Sequence, residues 1–177
     1  MSRNKIQIFN SQKLWYDLVV DVEHALNITL DKDVESYLVF TLNHYSSYCD
    51  ISSRIFAVDF LKNCSSKSNN PIIMRDFADN CLLVSGLYPE FAEKKGLNFE
   101  YLAGLAQSSY AAAARSLEAN SQNTSVYLAI ANEYTTLVKV LFAIRCMFSS
   151  PLEIYQYQIK FQIYNSCYQE VLDCLYG

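Results

Sequence analysis

Two carboxylates three residues apart, in the run Arg75-Asp76-Phe77-Ala78-Asp79, are the arrangement in this chain best suited to chemistry. On a helix that spacing puts Asp76 and Asp79 on one face, with Arg75 beside them. Two such acids can work as an acid and base pair or hold a cation. They can also anchor the fold, by pairing with Arg75 or by accepting hydrogen bonds from the turn Ser85 to Glu90, and caps and buried hydrogen bonds are far commoner than active sites. Tyr101 and Tyr110 would line a pocket between helices on the same side. The candidate corner, functional or structural, therefore comprises Arg75, Asp76, Asp79, Ser85, Gly86, Pro89, Glu90, Tyr101, Gly104 and Tyr110.

Other chemistry finds little purchase. A di-iron helical bundle needs Glu-x-x-His on two helices, but the only histidines, His24 and His44, follow Asp21 and Thr41 at that spacing. The six cysteines, Cys49, Cys64, Cys81, Cys146, Cys167 and Cys174, form no C-x-x-C pair and have no zinc-type spacing. Several fall where a helix wants an apolar residue, so they read as core thiols. A P-loop, a G-x-S-x-G elbow, a Ser-x-x-Lys pair and a dinucleotide fingerprint are all missing. No metal and no cofactor are implied.

Composition narrows the class. A 177-residue chain with 51% hydrophobic and 18% charged residues suits a single domain over residues 1–177, with residues 1–9 a loosely packed start. A globule of this size buries about 70% of the surface its unfolded chain exposes. The net charge is −4 and Lys94-Lys95 is the one adjacent basic pair, so no basic face for nucleic acid can be assembled. Uncharged runs such as Tyr101 to Ala114 are too short to cross a bilayer. The start, Met-Ser-Arg-Asn-Lys-Ile, lacks the apolar run of a signal peptide, and the expectation is a soluble cytoplasmic protein without membrane insertion. Fourteen tyrosines and ten phenylalanines suggest rings at the rim of the core or in an interface.

The elements that must position these residues read as helices throughout, with a period near 3.6. Asn10 or Ser11 can cap a first helix with the stripe Leu14, Leu18, Val22 and Ala25, and Asp31 caps a second with Val34, Leu38, Thr41, Tyr45 and Tyr48. Asp50 caps a third, carrying Ile51, Ile55, Val58 and Leu61. After a polar loop, Pro71 starts a fourth helix, striped by Ile73, Phe77, Cys81 and Val84 and stopped at Gly86. Glu90 to Lys95 makes a short turn ended by Gly96, and Asn98 caps a helix on which Gly104 and Ala111 to Ala114 admit a close neighbour. A long helix from Val126 to Phe148 and a last one from Leu152 to Leu175, striped by Tyr155, Ile159, Ile163, Cys167, Val171 and Leu175, form an antiparallel pair. The fold class is all-α, a compact single-domain bundle of seven or eight helices.

The segment Glu35-Ser36-Tyr37-Leu38-Val39-Phe40, the run Arg75 to Asp79, the continuation Cys81-Leu82-Leu83, the turn Ser85-Gly86-Leu87-Tyr88-Pro89-Glu90, and then Tyr101, Gly104, Ser109 and Tyr110, resemble a family of helical proteobacterial proteins of no established activity. In its pattern a Gly precedes the second acid, where this chain has Ala78, and the turn carries Phe, where this chain has Tyr88. The resemblance implies a helical fold, a bacterial source and weight for the corner, and no reaction. The reading is a non-enzymatic interaction module that forms a homodimer or binds another protein; the alternative is a ligand or catalytic pocket near Asp76, Asp79, Tyr101 and Tyr110. In a reducing compartment all six thiols should titrate in the unfolded, unreduced protein. Fewer than six would contradict that compartment.

Overall fold

The computed structural model describes residues 3–46, 70–118, 125–164 and 166–177, with backbone alone for 3–10 and 161–164. Among the described residues there are eight helices and no strand: α1 (Arg3–Leu26), α2 (Lys32–Ser46), α3 (Pro71–Leu87), α4 (Pro89–Lys94), α5 (Phe99–Glu118), α6 (Ser125–Met147), α7 (Pro151–Tyr164) and α8 (Ser166–Tyr176). The helix expected around Ile51 to Leu61 lies outside the described residues, as do Cys49 and Cys64.

Local chemistry sets most boundaries. Asp31 Oδ1 accepts from Asp33 N at 2.9 Å, Asn70 Oδ1 from Ile72 N at 3.0 Å, and Asn98 Oδ1 from Tyr101 N at 2.8 Å, three side-chain caps on orphan helix donors. The first helix, however, runs through the expected caps Asn10 and Ser11 and starts at Arg3; Ser11 instead donates across to Asn43 of α2 at 2.7 Å. Asn27 ends α1 with φ 52°, its N–H on His24 O and the Ile28 N–H on Glu23 O, the paired bonds of a Schellman stop. The Glu23 side chain then takes Leu30 N at 2.6 Å, which fixes the exit toward α2.

Helix α6 is the axis of the bundle. Ile130, Tyr134, Leu137, Val138, Val140, Leu141, Phe142, Ala143 and Ile144 are all buried on it, since α1, α2, α3, α5 and α8 surround it. Among the described residues it is the one helix long and apolar enough to cross a membrane, and over half of that stretch lies inside the fold, as the core helix of a bundle requires. Helices α3 and α5 pack on each other and both on α6. Of the expected α1 stripe Val22 is buried and Leu18 packs against the core, with Val19 buried beside them, whereas Leu14 and Ala25 are exposed.

The C-terminal segment departs further from expectation. It is described as two helices, with Asn165 between them outside the described residues, and α8 is the part that packs along α6. Cys167 and Val171 are buried as expected, whereas Tyr155 and Ile159 face outward and Ile154 and Tyr157 face in. Both faces of α7 are apolar, so periodicity alone selected the wrong one.

Two glycines have opposite meanings. Gly86 is helical rather than a left-handed stop, and a Cβ on it would meet Leu141 Cβ at 2.3 Å, so the missing side chain lets α3 lie against α6. Gly104 is exposed with open space around it, which overturns its reading as a close-packing position. Gly86→Ala should therefore lose about 1–3 kcal/mol by overpacking. Gly104→Ala should gain about 0.5–1 kcal/mol from helix propensity. Chemical denaturation of both variants checks the pair, and equal effects would contradict the packing described.

Candidate functional site

Asp79 leaves the third turn of α3 pointing into the bundle, and only 5% of it is exposed. Its Oδ1 accepts two phenol hydroxyls, Tyr37 Oη of α2 at 2.6 Å and Tyr110 Oη of α5 at 2.7 Å. One carboxylate oxygen thus joins three helices. The Tyr37 ring stands edge-on to Tyr110 and to Tyr127 of α6, so the hydroxyls are held from behind by packed rings. Burial pushes the Asp79 carboxyl up to about 6, against the two phenol hydrogen bonds and the Arg75 charge, which favour its ionised form. Burial first, and then the Asp79 charge, raise both phenols well above the ordinary tyrosine range.

Asp76 does not join this group. It is turned toward solvent and paired with Arg75, whose Nε and Nη2 donate to Asp76 Oδ1 at 3.1 and 2.6 Å. The two acids share a stretch of helix but not an environment, since Asp79 points further round into the seam with α5. Both line a shallow pocket of about 160 Å³ with Arg75, Tyr37, His44 and Tyr45, through which solvent reaches the edge of the junction. Tyr101 is exposed near the start of α5, more than two turns from Tyr110, and takes no part.

The turn residues expected to receive Asp79 have other partners. Ser85 Oγ lies 3.1 Å from Tyr134 Oη of α6, and the Ser85 carbonyl accepts Tyr168 Oη of α8 at 2.7 Å. Pro89 opens α4, and Glu90 hydrogen-bonds the Tyr157 hydroxyl of α7. Ser85, Gly86 and Glu90 therefore tie the α3–α4 corner to α6, α7 and α8, while Asp79 ties α3 to α2 and α5. Beside the corner lies a cleft of about 450 Å³ with Pro89, Leu97, Phe99, Leu102 and Tyr168 in its wall and the Lys160–Glu93 ion pair at its edge.

Sequence reasoning missed Tyr37, Tyr134, Tyr157 and Tyr168 as the partners of the corner. Tyr37 had a visible signal, since it sits on the buried face of α2 between Val34 and Thr41, where a phenol needs a polar partner. Burial holds the thiols of Cys81, Cys146 and Cys167 up to about 12, so none is a poised thiolate. None of the four described cysteines is in a disulfide. Neither a family model, nor a curated protein, nor a solved structure matches this chain, and the resemblance carried by the corner rests on those residues alone.

The raised carboxyl fixes a sign. The folded state binds the Asp79 proton more tightly than the unfolded chain, so the contribution to stability is full below about 4 and is lost as pH rises through about 6. The difference between 3.8 and about 6 corresponds to about 3 kcal/mol. Glu23, also raised by burial and by its neighbour Glu35, has the same sign, so the comparison must be made against Asp79→Asn. That variant keeps an acceptor for both phenols without a charge; it should lose most of the fall in stability between pH 4 and 8 and be at least as stable as the native chain at pH 8. Asp79→Ala should be about 2 kcal/mol less stable than Asp79→Asn, because two buried hydroxyls lose their acceptor. Urea unfolding across that pH range reads both, and identical slopes in native and Asn chains would contradict the assignment.

Proposed function

We propose that this protein is a non-enzymatic interaction module that works as a homodimer through the outer face of α7. The observation that carries the reading is an exposed apolar stripe: Phe148 is 71% exposed, Leu152 65%, Tyr155 61% and Ile159 54%, with Met147 alongside. Leu152, Tyr155 and Ile159 follow one another at i, i+3 and i+7, so they lie in a row on α7, and Phe148 precedes them at the end of α6. Together these side chains present on the order of 500 Å² of apolar surface, at the upper end for a monomer.

A second copy is the occupant that this patch fits. The only charges on α7, Glu153 and Lys160, are engaged within the chain by Arg145 and Glu93, which leaves the row itself uncharged. An uncharged apolar row on one helix is self-complementary when two copies pack antiparallel, with Leu152 facing the partner's Ile159 and Tyr155 near the two-fold axis. With a polar rim the patch approaches the roughly 800 Å² per partner of a standard interface. Aromatic residues at its centre match the composition of interface cores.

A ligand pocket is the second reading, and the cleft of about 450 Å³ beside the corner favours it over the Asp79 pocket, because its wall is apolar and its volume admits a small molecule. A cytoplasmic setting agrees with either.

Light scattering at tens of micromolar should give twice the 20.3 kDa chain mass. Tyr155→Glu should give the monomer mass with an unchanged circular dichroism spectrum, because it places a charge at the centre of the interface. A native chain that remains monomeric across a concentration series would overturn the dimer.

A further inference from the structure

The cleft between the α4–α5 turn and helices α7 and α8 joins an apolar wall to a mouth whose carboxylates outnumber its cations. The wall is built from Pro89 and Ala92 of α4, Leu97 of the turn, Phe99 and Leu102 of α5, and Tyr168 of α8. Its uncharged polar side chains are committed elsewhere: the Tyr168 hydroxyl donates to the Ser85 carbonyl, and Asn98 Oδ1 caps α5 through Tyr101 N. Phe99 is half-buried and stands edge-on to Tyr168, with 6.0 Å between ring centres, so the rings hold each other in place. A molecule seated against this wall is held by apolar contact and must turn its own polar group outward. At the mouth, Lys160 pairs with Glu93. Glu100, exposed in the first turn of α5, has no ion-pair or hydrogen-bond partner among the described residues. Two carboxylates against one ammonium thus leave the lining with an unmatched negative charge. Lys94 and Lys95 do not line the cleft, and the Lys95 ammonium sits over the Phe91 ring. The Tyr168 phenol reports the same sign: burial first, then Cys167 and the carboxylates of Glu93, Glu90 and Glu100, hold it above the ordinary tyrosine range.

We propose that this cleft binds a hydrophobic organic cation, with an aromatic body seated on Leu97, Phe99 and Tyr168 and an ammonium group at the mouth beside Glu100. The assignment rests on the ligand-pocket reading of the cleft given above. It is independent of the dimer, since none of Phe148, Leu152, Tyr155 and Ile159 lines the cleft. An anion with the same body would be repelled by the unmatched carboxylate, and a neutral molecule would gain nothing from it. The aromatic wall adds to the preference, because a ring face attracts a cation.

Three compounds that share a naphthyl body test it: naphthylmethylammonium, naphthylmethanol and naphthoate, each titrated into the full chain at neutral pH and read from amide shifts in nuclear magnetic resonance. The ammonium compound should shift the amides of Gly96, Leu97, Phe99 and Leu102. It should bind about tenfold more tightly than naphthoate, with naphthylmethanol between them. Glu100→Gln should weaken the ammonium compound about threefold and leave naphthylmethanol unchanged. Lys160→Gln releases Glu93 from its pair, so it should strengthen the ammonium compound by a similar factor. Both side chains reach solvent, so neither variant puts folding at risk. If none of the compounds shifts the cleft amides, the pocket reading falls and the cation with it. If naphthylmethanol or naphthoate binds there as tightly as the ammonium compound, or if both variants leave the ammonium affinity unchanged, the pocket stands and the cation is overturned. Shifts confined to Phe148 through Ile159 would put the compounds on the α7 row and overturn the site.

Discussion

A single carboxylate oxygen that accepts two phenol hydroxyls is the constraint around which this bundle is arranged. Asp79 on α3 has almost no contact with solvent, and it is tolerated there because Tyr37 and Tyr110 bring donors from the helices on either side. A buried polar group costs more when left unmade than it contributes when made, so the junction acts mainly by excluding arrangements in which one donor is lost. Sliding α2 or α5 by one turn along α3 would orphan a phenol and expose the packed rings behind it. The polar cluster thus fixes register between helices whose apolar faces alone would accept several.

The same device recurs at the other end of α3. Ser85 meets Tyr134 and Tyr168, and Glu90 meets Tyr157, so the corner is stitched to α6, α7 and α8 by tyrosine hydroxyls. Tyr110 and Tyr134 are wholly buried, deeper than the rim position the composition suggests, and their ring faces pack while their tips are spoken for. Tyrosine suits a helix that must be buried on several sides, since it supplies aromatic area and one polar group that specifies where the neighbour must lie. The excess of tyrosine in the sequence is in large part this internal stitching. Tyr155 on the outer face of α7 belongs to a different surface altogether.

Much of the fold was legible because it rests on local chemistry. Asp31, Asn98 and Gly96 mark helix ends in the sequence and do so in the structure, Gly96 with φ 71°. The acid of the corner was legible as a residue but not as a contact. Its partners lie 42 residues upstream and 31 residues downstream, and nothing in a helical period says which tyrosine will arrive there. Gly86 could be read as a stop or as a contact, and only the position of Leu141 decides between them. On α7 every turn offers an apolar residue on both sides, so the choice of inner face depends on where Phe142 presents its ring to Tyr157.

The central claim is that Asp79 is a buried carboxyl held by two phenols. The direct measurement is the titration of the Asp79 side-chain carbon by carbon-13 nuclear magnetic resonance in the folded protein, assigned with Asp79→Asn. The structure predicts a single transition near pH 6, moving upward in Tyr37→Phe and Tyr110→Phe. A transition below pH 4.5, in the ordinary aspartate range, or one insensitive to either tyrosine, would contradict it.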